Sequence, residues 1–508
     1  MTSVAAKGAY AAAPPLYSEA YKGVVLAMLV GAYTFNFIDR TIVAVIGQAI
    51  KVDLKITDTQ LGLLGGFSFA VLYTVLGIPI ARAAERFSRV NIIAVSMVLW
   101  SGFTVACGLA PAFGPLLATR VGVGVGEAGC SPPAHSLISD YYAPRRRASA
   151  LAVYSFGIPL GAMIGAVAGG VLATLYGWRV AFMVVGAPGV IMALIIKLVV
   201  REPPRGHSEL VEHPRLAADL SPQAAEAGAR GWLESELAEL GVVARRLFGN
   251  WPVANMMIGV TLASFAGYGA GAFGAPYFNR AFGLSYAAVG LIFGVIGGLS
   301  TGAGTLAGGF FADRAARRAG RWYALTPAVG LAIATPIAIS VYEASTWQAA
   351  ALIALLPGIF SYTYLGPTFG VAQNMVEPRR RATATALMFF VLNFIALGGG
   401  PVFTGWIIDA LARIDLASPG HAAPAALAAL IAGHGAVPSF ALSCPGGLAP
   451  AGAGATAETA CHGALVAATR QGIEITLLFY AWAAMHYLLG SIGLARRLAL
   501  PERGKARS

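Results

Sequence analysis

The sequence predicts an all-α polytopic membrane protein with twelve transmembrane helices in two pseudo-symmetric six-helix bundles. Three observations carry this reading: the composition, a series of twelve apolar runs, and an internal repeat. Of 508 residues, 57% are hydrophobic and only 11% are Asp, Glu, Lys or Arg, with a mean hydropathy of +0.70. A soluble chain carries about 25% charged residues, so this one cannot cover itself with a water-facing surface. The 63 Gly and 28 Pro suit helices that touch closely and bend. The net charge of +12 does not point to nucleic acid, because the basic residues sit between apolar runs instead of on one soluble face.

Runs long enough to cross a hydrocarbon core fall at 23–50, 58–81, 91–110, 114–139, 148–172, 179–200, 252–278, 285–311, 322–342, 347–375, 382–411 and 471–495. The first 22 residues lack a short apolar region with a cleavage site, so the expectation is a short cytoplasmic N-terminus followed by an uncleaved first span. Residues 23–200 form the first bundle and 251–497 the second, with a cytoplasmic tail at 498–508. Between them lies a cytoplasmic linker, 201–250, in which Leu233, Leu237 and Leu240 recur at the spacing of a short amphipathic helix. A second long connection, 413–470, is rich in Ala, Gly and Pro, and is expected outside the cytoplasm with little regular structure. Its Cys444 and Cys461 are a candidate disulfide, whereas Cys107 and Cys130 lie within spans and are expected to be buried.

Orientation follows from the cations. Of the 35 Lys and Arg, 20 fall in the two termini and the loops after spans 2, 4, 8 and 10, against 6 on the opposite side. Both termini are therefore expected in the cytoplasm.

The repeat is read directly. APRRRASALA at 143–152 returns as EPRRRATATA at 377–386, and ARAAERFSR at 81–89 returns as GFFADRAAR at 309–317, at offsets of 234 and 228 residues. Two strings at nearly one offset indicate duplication of a six-span unit, which in transporters places a site at the repeat interface near the midplane.

With these strings on the page, the chain resembles the major facilitator superfamily. The family's pattern between spans 2 and 3, GxxxDRxxR, is met in the second half by Gly309, Asp313, Arg314 and Arg317. The first half departs from it, with Ala81 and Glu85 in place of Gly and Asp, but keeps Arg86 and Arg89. The resemblance implies that Glu85, Arg86, Arg89, Asp313, Arg314 and Arg317 form a cytoplasmic gate.

Few ionisable groups lie inside the spans: Asp39, Arg40, Arg120, Glu127 and Lys197, with His135 and His486. A charge at the bilayer centre costs at least about 2.5 kcal/mol, so a partner and a function are expected of each mid-span one. Asp39 and Glu127 fall at matching depths in spans 1 and 4, and Arg120 shares a face with Glu127. The economical arrangement holds Arg40 between Asp39 and Glu127. A carboxylate beside Arg in a low-dielectric site changes protonation when its solvation changes, which is what proton coupling requires. The mid-span charges are expected in the first half alone. In the second half, Tyr362 and Tyr364 of span 10, with Phe390, Asn393 and Phe394 of span 11, would line an apolar cavity.

The strings FNFIDRTIVA, GEAGCSPPAHSLISDYYAPRRRASALAVYSFGIPLG and YGWRVAFMVVGAPG are similar to those of the Spinster-like branch of the superfamily. That resemblance implies a transporter of lysolipids or sphingoid phosphates whose polar centre is an acidic residue plus Arg on span 1 and a Glu on span 4, here Asp39, Arg40 and Glu127. The expected partners are an amphipathic lipid-like substrate, protons and membrane lipids, with the protein acting as a monomer by alternating access. No phosphate-cradling loop follows a strand, no Cys or His spacing suggests a metal, and no nucleophile has a visible base, so no cofactor, metal or enzymatic activity is expected. A drug or small organic anion transporter of the same fold is the alternative.

Overall fold

Residues 17–205, 207–208, 229–376, 381–417 and 439–498 are described in a computed structural model. Among them every regular element is a helix. Ten helical stretches are long and apolar enough to cross a membrane. One of these, Ser149–Val199, contains two crossings: the helix Gly157–Val199 would be about 65 Å long if straight, against a core of about 30 Å. It turns at Gly177, whose φ of +85° an L side chain rarely adopts. Span 4 is broken into Phe113–Glu127 and Ser131–Tyr141 and is too short in either piece to count among the ten. Splitting the one and adding the other gives twelve crossings.

The interruptions repeat with the sequence. A π-helical turn at Leu63–Phe67 in span 2 has its counterpart at Ile292–Ile296 in span 8, starting 229 residues later. The break after Glu127 begins at Ala128, and 234 residues on span 10 passes into a 3-10 turn at Tyr362–Tyr364. A third π turn, Leu392–Leu397, interrupts span 11. Such interruptions loosen the backbone where a helix must bend or present a side chain.

Span 1 is fixed by span 5. Gly157, Gly161, Gly165 and Gly169 form a stripe on which an added Cβ would stand 3.0 Å from Val30 O, 2.4 Å from Thr34 O, 2.8 Å from Ile38 Cα and 2.7 Å from Ile42 Cγ1. Backbone therefore packs on backbone over the segment that carries Asp39 and Arg40, and dispersion contacts replace the hydrophobic drive that lipid does not supply. The two halves meet closely where spans 5 and 8 cross, a Cβ on Gly170 or Gly290 standing 2.2 Å from Tyr286 O or Ala166 O, and where spans 2 and 11 cross, a Cβ on Gly405 standing 2.2 Å from Asp58 O.

Of the two long connections, the second differs from expectation. The linker's helix runs Ala229–Phe248; the side chains of Leu233 and Leu237 lie outside the described residues, and Leu240 is half-buried. The connection after span 11 is more ordered than its composition suggests, because span 12 begins at Ala455, sixteen residues before its apolar run, and is preceded by short turns at Phe440–Ser443 and Pro445–Gly447. Cys444 and Cys461 are bonded across it, with Cα atoms 5.8 Å apart. Residues 418–438, the first 16 and the tail from 499 lie outside the described residues.

Candidate functional site

The expected polar centre assembles where spans 1 and 4 pack. Arg40 donates from Nε to Glu127 Oε2 at 2.7 Å. Glu127 is fully buried at the last turn of Phe113–Glu127, with the buried side chain of Asn36 from span 1 as a second polar neighbour. Three glycines bring span 4 close enough for this: a Cβ on Gly122, Gly124 or Gly126 would stand 2.6 Å from Phe103, 2.8 Å from Phe69 O or 2.6 Å from Trp100 N.

The guanidinium of Arg40 is also packed among aromatic faces. Its Cζ lies 5.0 Å from the ring centre of Phe37, 4.4 Å from Phe69 and 4.7 Å from Tyr73. A planar, weakly hydrated cation suits such a cage better than a compact ammonium. One fifth of the Arg40 side chain stays accessible, so the group is the open edge of an otherwise closed cluster.

One expected detail changes. Arg40 contacts Glu127 but makes no ion pair with Asp39, because adjacent helical residues diverge by about 100°. Asp39 is 2% exposed and turns to the other side, where Arg120, itself 1% exposed, reaches the Asp39 carbonyl at 3.4 Å. Two carboxylates and two guanidiniums thus share one buried region, with each cation nearer a different acidic residue.

Of the described residues expected at the gate, Arg89 is the one held in a buried network. Arg89 is 1% exposed and pairs with Asp140 of span 4, with Ser136 Oγ at 2.9 Å and with Glu202 Oε1 at 2.6 Å. Glu202 Oε2 also accepts from Ser88 Oγ and from the backbone N–H of Val90, so it caps the start of span 3. Burial opposes ionisation of Glu202, but these bonds from Val90, Arg89 and Ser88 outweigh it and hold the carboxyl below its ordinary range. Arg86 is exposed and the Glu85 side chain lies outside the described residues. In the second half Asp313 is exposed and accepts from Tyr323 Oη at 3.2 Å, while Arg314 and Arg317 point outward.

At the opposite end is a cluster that the sequence pattern does not disclose. Asp58, at the start of span 2, is fully buried and receives Arg280 Nη2 on Oδ1 at 2.5 Å and Lys51 Nζ on Oδ2. Arg280 also donates to Gln48 and Thr469, each at 2.7 Å. Asp409 of span 11 accepts from the N–H groups of Asp58 at 2.9 Å and Thr59 at 2.7 Å, and from Thr59 Oγ1 at 2.6 Å. Spans 1 and 2 are thereby tied to spans 7, 11 and 12 by two carboxylates and two cations. Asp409, near the end of span 11, adds an ionisable group missing from those counted inside the spans, while the mid-span charges of the described residues stay in the first half. Lys51 and Arg280, counted as loop cations, are buried, which a lone ammonium or guanidinium would not be without such partners.

The aromatic residues of the second half form pairs. Tyr362 and Tyr364 stack at 6.2 Å, and Tyr364, 5% exposed, bonds Ser264 at 3.0 Å. Phe390 and Phe394 stack at 5.9 Å along the π turn of span 11, with Asn393 half-buried between them in sequence. Ser264 with Tyr364, Thr368 with Tyr487 and Thr404 with Thr476 glue this bundle through hydroxyls instead of charge.

Residues 29–401 match the Major Facilitator Superfamily. An "MFS-type efflux pump" of Mycolicibacterium smegmatis is 32% identical over 395 residues, 77% of this chain and 85% of that protein. Human "Protein spinster homolog 1" is 34% identical over 200 residues, 38% of each chain. The crystal structure of a bacterial homolog to the human lysosomal transporter Spinster, inward-facing and unoccupied, superposes with a TM-score of 0.79 at 32% identity, covering 95% of this chain and 99% of that one.

Proposed function

The chain belongs to the major facilitator superfamily, in its Spinster-like branch, and from that premise we propose that this membrane transporter couples proton movement to passage of a lysolipid-like or sphingoid-phosphate-like amphiphile. The observation that carries the reading is the Arg40–Glu127 pair, a fully buried carboxylate held by a guanidinium that packs among three rings.

A fully buried carboxylate is costly to keep charged. Protonation there removes the attraction that holds Arg40, and an anionic head group arriving at the accessible edge of Arg40 competes for the same guanidinium. Asp39 lies in the same region, with Arg120 donating to its backbone carbonyl, and we assign Asp39 and Glu127 as the proton-handling pair with Arg40 balancing their charge. The acyl chain is taken by the aromatic surfaces of Tyr362, Tyr364, Phe390 and Phe394, with Asn393 among them.

The cycle is alternating access. The Asp58–Arg280 and Asp409 links close one end, and we assign that end to the outside and both termini to the cytoplasm of a bacterial inner membrane, with the protein working as a monomer. Arg89, with Asp140 and Glu202, belongs to the cytoplasmic gate that Glu85, Arg86, Asp313, Arg314 and Arg317 complete when the halves close on that side.

The similarity to an efflux pump over 77% of the chain favours a second reading, transport of a drug or small organic anion. A thermal-shift comparison of purified protein with a lysophospholipid, a sphingoid phosphate and hydrophilic organic anions, each at pH 5.5 and 7.5, separates them. The amphiphile reading expects stabilisation by the first two and a pH-dependent midpoint; stabilisation by hydrophilic anions alone contradicts it.

A further inference from the structure

The outer cluster is covered by a piece of chain that none of the charges explains. Phe440–Ser443 forms one turn, with Phe440 buried, and the backbone then passes through Cys444 into Pro445–Gly447. Cys444 is bonded to Cys461, which stands on span 12, so this short cap is stapled to the second half.

The cap nevertheless rests on the first half. A Cβ on Gly446 would stand 3.2 Å from Lys51 O, 3.3 Å from Val52 O and 3.4 Å from Lys55 Cα, and one on Gly447 would stand 3.7 Å from Lys51 Cε. Both glycines have positive φ, +70° and +90°, so the backbone approaches the end of span 1 in a conformation other residues would strain. The Lys51 side chain beneath is 2% exposed, and its ammonium is the one that pairs with Asp58. Cap and ion cluster are therefore two layers of a single closure, the outer layer held by a covalent bond and the inner by charge.

We propose that the Cys444–Cys461 disulfide makes this cap a latch: by pinning Pro445–Gly447 to span 12 it keeps the cap seated on the end of span 1, shields the Lys51–Asp58–Arg280 cluster from water, and biases the transporter toward its outer-closed state. The bond is the static part of the device, and an oxidising compartment outside the cytoplasm preserves it. The disulfide joins the cap directly to the helix of span 12, so cap and helix move as one while it is intact. The inference stands apart from the identity of the substrate and from proton coupling.

Hydrogen exchange of the intact protein in lipid nanodiscs, before and after reduction with a phosphine and alkylation, tests it. Cys107 and Cys130 are already free thiols, so the reductant has one target among the described cysteines. Exchange across residues 48–62 should accelerate about tenfold on reduction, together with exchange across the cap. Acceleration confined to the cap and the start of span 12, with 48–62 unchanged, overturns the proposal. Gly446→Val supplies the second arm, since it unseats the cap but keeps the disulfide and every charge: exchange at 48–62 should rise as well. Parental exchange there in Gly446→Val overturns the proposal even if the reduced protein loses its fold as a whole.

Discussion

Arg40 and Glu127, 87 positions apart in sequence, meet at 2.7 Å with the carboxylate fully buried and the guanidinium packed on three rings. The pair binds the middle of span 1 to the break in span 4, so neither residue can be altered without consequence for the other.

Arg40→Ala leaves Glu127 buried without its cation. Removing one partner of a buried pair costs about 3–5 kcal/mol, and the melting temperature of the detergent-solubilised protein should fall by many degrees. Arg40→Ala combined with Glu127→Gln should recover part of that loss, because no uncompensated charge remains. A double variant that melts at the temperature expected from simple addition would show that the two residues do not act as a pair.

Asp58→Asn removes the carboxylate shared by Arg280 and Lys51 and leaves two cations buried together. The outer-closed arrangement should lose stability by about 3 kcal/mol or more, seen as faster hydrogen exchange at residues 48–62 and at the outer end of span 7. Asp409→Ala removes a carboxylate from the start of span 2, where an N-terminal cap contributes about 1 kcal/mol, and should act in the same direction but more weakly. Unchanged exchange in Asp58→Asn contradicts the assignment of this cluster as a closure.

Glu202→Gln tests the inner end by pH. A carboxyl held below its ordinary range contributes stability that is present above the unfolded value and disappears as pH falls through the lower, folded one. Thermal melts should therefore separate parent and variant by a few degrees at pH 7, with the gap closing as pH drops below the usual glutamate range. A constant gap across that range would mean that the loss is steric and not ionic.

Much of this was legible in the residues themselves. Apolar run lengths marked the crossings, the APRRR and EPRRR strings gave the repeat, and the glycines at every fourth position of span 5 pointed to the close packing that now fixes Asp39 and Arg40. The outer cluster was not legible, for a physical reason. Lys51, Asp58, Arg280 and Asp409 each stand at the end of a span, where a charge ordinarily reaches water, and only the convergence of spans 1, 2, 7 and 11 removes that option. Glu202 was hidden in the same way, since a charged residue in a proline-rich connection reads as solvated until the chain folds back onto Arg89. Within the centre, the sequence suggested Arg40 between both carboxylates, but the one-residue step turns Asp39 and Arg40 apart, so Arg40 meets Glu127 and Arg120 lies on the Asp39 side.

The central claim is that Glu127 carries the coupled proton. In proteoliposomes with an imposed pH gradient, the parent should move a fluorescent lysophospholipid at a rate that rises with the gradient and should move protons with it. Glu127→Gln, still folded and still inserted, should lose both the gradient dependence and the proton movement. Full proton coupling retained by Glu127→Gln would contradict the account.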